Sequence, residues 1–156
     1  MVSVACAPEG EECFAVAADG TVYAWGANAS GLLGVGHRRA VARPTALRGV
    51  LPRVRRVVCG AASAFFLAAG GDVYACGANA HGCLGTGDTR ARLTPALVAT
   101  LEGEPCVALA AGRGATYALT ADGRVLFWGR ISGPSTGTGN AATSAEESLF
   151  PTSSLT

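Results

Sequence analysis

The chain repeats itself with a fixed period. Gly26, Asn28, Gly31, Gly34 and Gly36 return 51 positions later as Gly77, Asn79, Gly82, Gly85 and Gly87. DGTVYAWG, starting at Asp19, becomes GGDVYACG at Gly70 and, 52 positions further on, DGRVLFWG at Asp122. Upstream, CFAVAA (13–18), AFFLAA (64–69) and TYALTA (116–121) hold the same register. Downstream, Pro44 of RPTAL matches Pro95 of TPALV, and GTGN at Gly137 follows GTGD at Gly85 by 52; the late Pro151 stands four residues out of step. The 156 residues therefore read as one repeat domain, 1–156, of three units covering roughly 3–53, 54–105 and 106–156, with 140–150 expected to be a mobile loop. Units of this size stack on one another to bury a continuous core, so the period constrains the fold more than any local motif.

Within each unit the pattern is β. Short runs rich in aromatic and branched residues flank Asp-Gly, or Gly-Gly in the second unit, which predicts a hairpin with a tight type I′ turn. In the first strand of each hairpin Phe14 and Val16, Phe65 and Leu67, or Tyr117 and Leu119 share one face, with mostly Ala and Thr opposite. In the second strand Tyr23 and Trp25 lie on one side and Val22 and Ala24 on the other, so both faces need cover. Further strands are expected at 54–58, at 106–110 and near the PTAL and PALV segments. About four short strands per unit, stacked face to face, predict a propeller blade.

The combination of a small-residue strand, an Asp-Gly turn, V-Y-x-W-G, N-x-x-G-x-L-G-x-G and a following Thr-Pro or Pro-Thr resembles the regulator of chromosome condensation repeat. The motif positions are Gly20, Trp25, Gly26, Gly31, Gly34 and Gly36 in the first unit; Gly71, Gly77, Gly82, Gly85 and Gly87 in the second; and Gly123, Trp128, Gly129, Gly137 and Gly139 in the third. The histidine usual in the family's first strand is Glu12, Ser63 or Ala115 here, Cys76 replaces the tryptophan, and Pro134 replaces a loop glycine. The resemblance implies an all-β fold of three four-stranded blades, a partial open arc of a seven-bladed propeller. On that expectation the polypeptide is a piece of a larger propeller protein, or else its exposed blade faces self-associate or take a partner.

Chemistry-bearing residues are sparse. The six cysteines show no C-x-x-C, and the repeat aligns most of them with small or apolar residues (Cys6 with Val57 and Leu109, Cys76 with Trp25 and Trp128), so they read as core stand-ins in a reducing compartment rather than metal ligands. His37 and His81 fall in loops without a repeated acid or thiol beside them. The glycine loops lack the following helix that a dinucleotide fingerprint requires, so no cofactor is expected. Glu11-Glu12 and Glu146-Glu147 are adjacent, which in extended chain turns each pair to opposite sides and leaves acid–base catalysis without a site. All twelve basic residues are arginine, so lysine chemistry and a P-loop are excluded within this stretch.

Seven of the twelve arginines lie between Arg38 and Arg56, an interval with no acidic residue. Arg38 and Arg39 follow the first G-x-G, Arg90 and Arg92 follow the second, and Arg39 and Arg90 are register equivalents. Stacked blades would bring both loops to one rim, where guanidinium forks pair with carboxylate or phosphate. Solubilising charge is the plainer reading of the same residues.

The expected function is a non-catalytic protein–protein interaction module, with Arg38, Arg39, Arg90 and Arg92 meeting an acidic patch on a small GTPase or chromatin protein. The resemblance also implies an alternative, a guanine nucleotide exchange factor for a Ran-type small GTPase. A targeting module attached to a ubiquitin ligase or kinase is a third class. No apolar run approaches the roughly 18 residues of a spanning helix, and the start lacks signal-peptide features. The expected location is therefore intracellular, cytoplasmic or nuclear, with no membrane partner. The net charge of +1 gives no global pull toward nucleic acid.

Overall fold

The computed structural model describes residues 3–130 and the backbone of one strand at 146–148. Gly137, Gly139 and Pro151 lie outside the described residues, as does the stretch 140–150 expected to be mobile, apart from that strand. Twelve strands form three sheets: β1 (Ser3–Cys6), β2 (Glu12–Val16), β3 (Val22–Gly26) and β4 (Val41–Ala46); β5 (Val54–Cys59), β6 (Ser63–Ala68), β7 (Val73–Gly77) and β8 (Arg92–Leu97); β9 (Cys106–Ala111), β10 (Ala115–Thr120), β11 (Val125–Gly129) and β12 (Glu146–Ser148). In each sheet the strands lie side by side in chain order, and every pairing is antiparallel. The pairings repeat as the sequence does. Phe14 faces Ala24 across the first hairpin, Phe65 faces Ala75 in the second and Tyr117 faces Phe127 in the third. Pro44 and Pro95 sit in the last strand of their sheets, where a missing N–H costs no inner ladder bond.

Two clusters hold the blades together. Phe14, Val16, Val22 and Ala24 of the first blade pack on Val57, Ala64, Phe66 and Cys76 of the second. Phe65, Leu67, Val73 and Ala75 leave the opposite face of the second blade to pack on Ala118, Leu126 and Trp128 of the third. Phe14 meets Phe66, and Phe65 meets Trp128, edge to face with centroids 5.7 and 6.4 Å apart, the arrangement that the ring quadrupole favours. All six residues of β6 are buried because both of its faces are covered, as an uninterrupted apolar strand demands.

Among the described residues, nothing covers the outer faces at the two ends of the arc. Tyr117, Leu119 and Val125 are 40%, 37% and 36% exposed, although their equivalents Phe14, Val16 and Val22 are each 1% exposed. Tyr23 and Trp25, on the other face of the first blade, are half-buried, whereas Trp128 is buried. The expectation that both strand faces are covered therefore holds in full only for the middle blade. Trp128 donates its Nε1–H to the Cys83 carbonyl at 2.8 Å. Cys76, its equivalent, donates to the Leu32 carbonyl at 3.1 Å. Replacement of the aromatic by cysteine thus keeps the hydrogen bond into the preceding blade.

The hairpin turns differ from the type I′ expected. Gly20 N–H donates to Ala17 O at 3.0 Å and Ala17 N–H to Thr21 O at 2.9 Å, and the same pair of bonds recurs around Gly71 and Gly123. Only the second turn glycine has a positive φ, at 86°, 98° and 90°. A type I turn followed by one left-handed residue, the three-residue hairpin with a G1 bulge, is therefore formed. This leaves the preceding position free to be Asp19, Gly70 or Asp122.

All twelve motif glycines among the described residues adopt positive φ. At Gly26, Gly77 and Gly129 space is as restrictive as φ: a Cβ would stand 1.9, 2.3 and 2.2 Å from the carbonyls of Glu11, Ala62 and Gly114. The glycine after the aromatic lets the third strand tuck beneath the loop joining the first two. At Gly20 and Gly71 a Cβ would press on Arg53 and Pro105, and their carbonyls accept the N–H of Val54 and Cys106, the first residues of the next blade. These glycines make the joints between units. The cysteines follow the expected core role at Cys76 and Cys106, which are buried, and partly at Cys13, Cys59 and Cys83; Cys6 departs from it and is exposed.

Candidate protein-interaction face

Because the strands alternate in direction, the β1–β2 and β3–β4 loops of the first blade and their counterparts in the second emerge on the same rim of the arc. The long β3–β4 loop is organised by a buried asparagine. Asn28 donates through Nδ2 to the carbonyls of His37 and Arg39 at 2.7 and 3.1 Å, and its Oδ1 accepts the Leu33 N–H at 3.1 Å. Asn79 does the same in the second loop: Nδ2 reaches the Asp88 and Arg90 carbonyls at 2.9 and 3.0 Å, and Oδ1 accepts from Leu84 N–H at 2.9 Å. Both are essentially inaccessible, at 0% and 1% exposed, so each amide serves as a fixed internal cross-brace. Asn28 itself takes φ of 89°, a conformation asparagine tolerates better than most residues. In the first blade Glu12, 8% exposed, accepts the Asn28 N–H at 3.0 Å.

The braces end at the arginines. Arg39 and Arg90, whose carbonyls are held, are exposed in equivalent places, and Arg38 is exposed beside Arg39 with a 3.3 Å bond to the Ala29 carbonyl. His37 Nδ1 accepts the Arg39 N–H at 3.2 Å and so takes part in the loop. The first loop is seated on the second blade: Gly36 N–H donates to Leu93 O at 2.8 Å, and a Cβ on Gly31 would lie 2.4 Å from Leu93 Cδ2. This brings the segment leading to Arg38 and Arg39 beside the strand that starts with Arg92. Arg92 is not projected outward. It pairs with Asp88 at 2.8 Å and is half-buried. Its guanidinium, together with the Arg90 N–H, holds the Asp88 carboxyl below its usual range. Glu9 and Glu11 occupy the neighbouring β1–β2 loop, where Glu9 faces Arg113 at a loose 3.9 Å.

The structure thus presents Arg38, Arg39 and Arg90 on braced loops and draws Arg92 into an internal pair. Sequence reasoning registered Asn28 and Asn79 as repeated but assigned them no task, and it noted Glu12 only as a substitution. Their recurrence beside glycines was the available signal; their burial arises from tertiary packing. Among the described residues no three His, Cys, Asp or Glu side chains gather as a metal-holding group, and no helix is long and apolar enough to cross a membrane. What this face offers chemically is directional guanidinium donors on a rigid base.

Stacked four-stranded antiparallel blades, joined glycine to strand and carrying asparagine-braced loops, define a β-propeller repeat protein, here an open arc of three blades. The model described as "Regulator of chromosome condensation (RCC1) repeat" matches residues 19–67 and 70–119, and a second model of the same description matches 54–83; the chain belongs to this repeat family. It is 36% identical over 121 residues to the human X-linked retinitis pigmentosa GTPase regulator, covering 76% of this chain and 12% of that protein. Against the human E3 ubiquitin-protein ligase HERC2 it is 38% identical over 125 residues, covering 77% of this chain and 2% of that protein. The chain therefore spans a small part of the curated relatives it matches. Human WBSCR16 superimposes with a TM-score of 0.81 at 23% identity, over 94% of this chain and 37% of that one. Prp20p from Saccharomyces cerevisiae gives 0.68 at 24%, over 81% and 32%. These two likenesses concern the fold.

Proposed function

We propose that this chain is a non-catalytic, intracellular protein-interaction module, a portion of a larger propeller protein, whose arginine-bearing loop face engages an acidic surface on a small GTPase or chromatin protein. The observation that carries the proposal is the repeated brace: Asn28 and Asn79 fix the backbone of Arg39 and Arg90 in equivalent positions on one rim of the arc. Rigid presentation lowers the entropy lost when a guanidinium pairs with carboxylate. Similarity to a GTPase regulator and to a ubiquitin ligase, each far longer than the matched stretch, supports a module that serves inside larger proteins. Replacement of Arg38, Arg39, Arg90 and Arg92 by Ala tests the reading. Three exposed pairs, at Arg38, Arg39 and Arg90, at about 0.4 kcal/mol each amount to roughly a sevenfold loss of capture of a GTPase or nucleosome partner at low salt, with a flatter dependence on ionic strength; Arg92, held by Asp88, adds little. Capture unchanged in surface-plasmon measurements at low and moderate salt removes the arginine face from the proposal.

The alternative is a guanine nucleotide exchange factor for a Ran-type GTPase. It is favoured by the fold shared with Prp20p, whose structure was described together with its binding to Gsp1p and histones. Accelerated release of labelled GDP by a ring-complete protein supports this alternative; silence across a broad GTPase panel counts against it.

A further inference from the structure

We propose that Cys6 and Cys13 constitute a dithiol site on the first blade that closes to a disulfide by exchange with a small disulfide of the glutathione type. The two residues are direct partners in the β1–β2 ladder. Ala7 N–H donates to Glu12 O at 2.9 Å, so the adjoining Ala7/Glu12 pair is hydrogen-bonded and the alternation of the ladder makes Cys6/Cys13 a non-hydrogen-bonded pair. Such pairs hold their Cα atoms about 4.5 Å apart with side chains converging, within the span a disulfide bridges without backbone movement. The side chains do converge here: Sγ to Sγ is 2.8 Å.

Reactivity is divided between the two thiols. Cys6 is exposed and Cys13 half-buried. The contact between the two sulfurs, in which either can donate, together with burial pushes the Cys13 thiol up to about 11. Cys6 is thus the sulfur a reagent reaches first. Its thiolate attacks one sulfur of the oxidised tripeptide, forming a mixed disulfide and releasing one glutathione thiolate. Cys13 then loses its proton to solvent and attacks the Cys6 sulfur, expelling the second glutathione. Two protons and two electrons leave the pair, and one small disulfide becomes two thiols. The third sulfur nearby, Cys59, is half-buried on β5 of the neighbouring sheet, where its ladder partner is Ala64, so it has no cysteine opposite it; burial pushes its thiol up to about 12.

The arginine pattern makes the test unambiguous. Both cysteines lie ahead of Arg38, the first tryptic site, while Cys59, Cys76, Cys83 and Cys106 lie beyond it, and Glu9, Glu11 and Glu12 separate Cys6 from Cys13. The folded chain is incubated with oxidised glutathione, alkylated under denaturing conditions and mapped by mass spectrometry. The expected result is a fall from six to four free thiols and a residue 1–38 peptide lighter by about 2 Da than its reduced, unalkylated form. Subsequent cleavage after glutamate leaves two fragments joined through Cys6 and Cys13. Cys59→Ser retains this bridge, and Cys6→Ser and Cys13→Ser each abolish it. Six free thiols after treatment, a bridge that includes Cys59, or a glutathione adduct persisting on Cys6 would each overturn the assignment, and all three are read on the wild-type chain without reliance on a variant folding.

Discussion

Trp128→Ala is expected to destabilise the folded chain by about 3–5 kcal/mol, the cost of removing a large buried aromatic and leaving a cavity. Trp128 fills the seam between the second and third blades, edge to face with Phe65, and its Nε1–H satisfies the Cys83 carbonyl. Removing it takes away packing and one of the two hydrogen bonds that the Cys83 carbonyl accepts, the other coming from Thr116 Oγ1 at 3.0 Å. Trp128→Phe separates the two contributions: the ring fills much of the seam while the hydrogen bond is lost, and because Thr116 still donates to the Cys83 carbonyl that loss is about 0.5–1.5 kcal/mol. Trp25→Ala is the internal control. It has the same place in the repeat, but its residue is half-buried on an uncovered face, so the loss is expected to be smaller than at Trp128. Urea unfolding followed by circular dichroism measures all three. Equal destabilisation at Trp25 and Trp128 would mean that the first blade's outer face is covered in solution.

Asn79→Ala is expected to cost about 3–5 kcal/mol and to release the loop that carries Arg90. The substitution strands a backbone N–H at Leu84 and the Asp88 carbonyl, in a place where Asn79 itself is 1% exposed, and leaves the Arg90 carbonyl only a long bond from the Arg92 guanidinium at 3.4 Å. Each buried group left unpaired costs about 1–3 kcal/mol. Loop residues also regain freedom, so the effect should appear twice: as a lowered denaturation midpoint and as faster amide exchange across 80–91. Asn79→Asp is the sharper variant. It preserves shape and the acceptor but replaces the donating NH2 with an acceptor that faces the Asp88 and Arg90 carbonyls. An Asn79→Asp protein as stable as wild type would show that the donor half of the brace contributes nothing.

The architecture was legible because a period survives mutation of individual residues. Cys76 standing where Trp25 and Trp128 stand does not hide the offset, and β6 and β7 begin 51 residues after β2 and β3. The turn type was not legible, since Asp-Gly is compatible with both a type I′ turn and a type I turn with a bulge; the choice depends on which carbonyl Gly20 can reach. Nor was the different fate of Trp25 and Trp128, whose local sequences are alike, because burial depends on a neighbour that a local pattern does not contain. The arginine loops were found from charge and register, yet the pairing of Arg92 with Asp88 was missed: a carboxylate four residues earlier along an irregular loop carries no periodic signal. Cys6 and Cys13 escaped for a related reason. Alignment between units compares each cysteine with its equivalents and never with its cross-strand partner.

The middle blade, with β6 buried along its whole length, is the point through which the other two sense each other. Three units share two interfaces, and both belong to that blade. Loss of an outer blade breaks one coupling, whereas loss of the middle one breaks both and leaves each outer hairpin stack with a single sheet and no seam. In a linear array governed by nearest neighbours, the ends therefore fray first and the centre melts only with the whole. A substitution of given severity is accordingly more disruptive at Phe65 or Phe66 than at any equivalent position on an outer face.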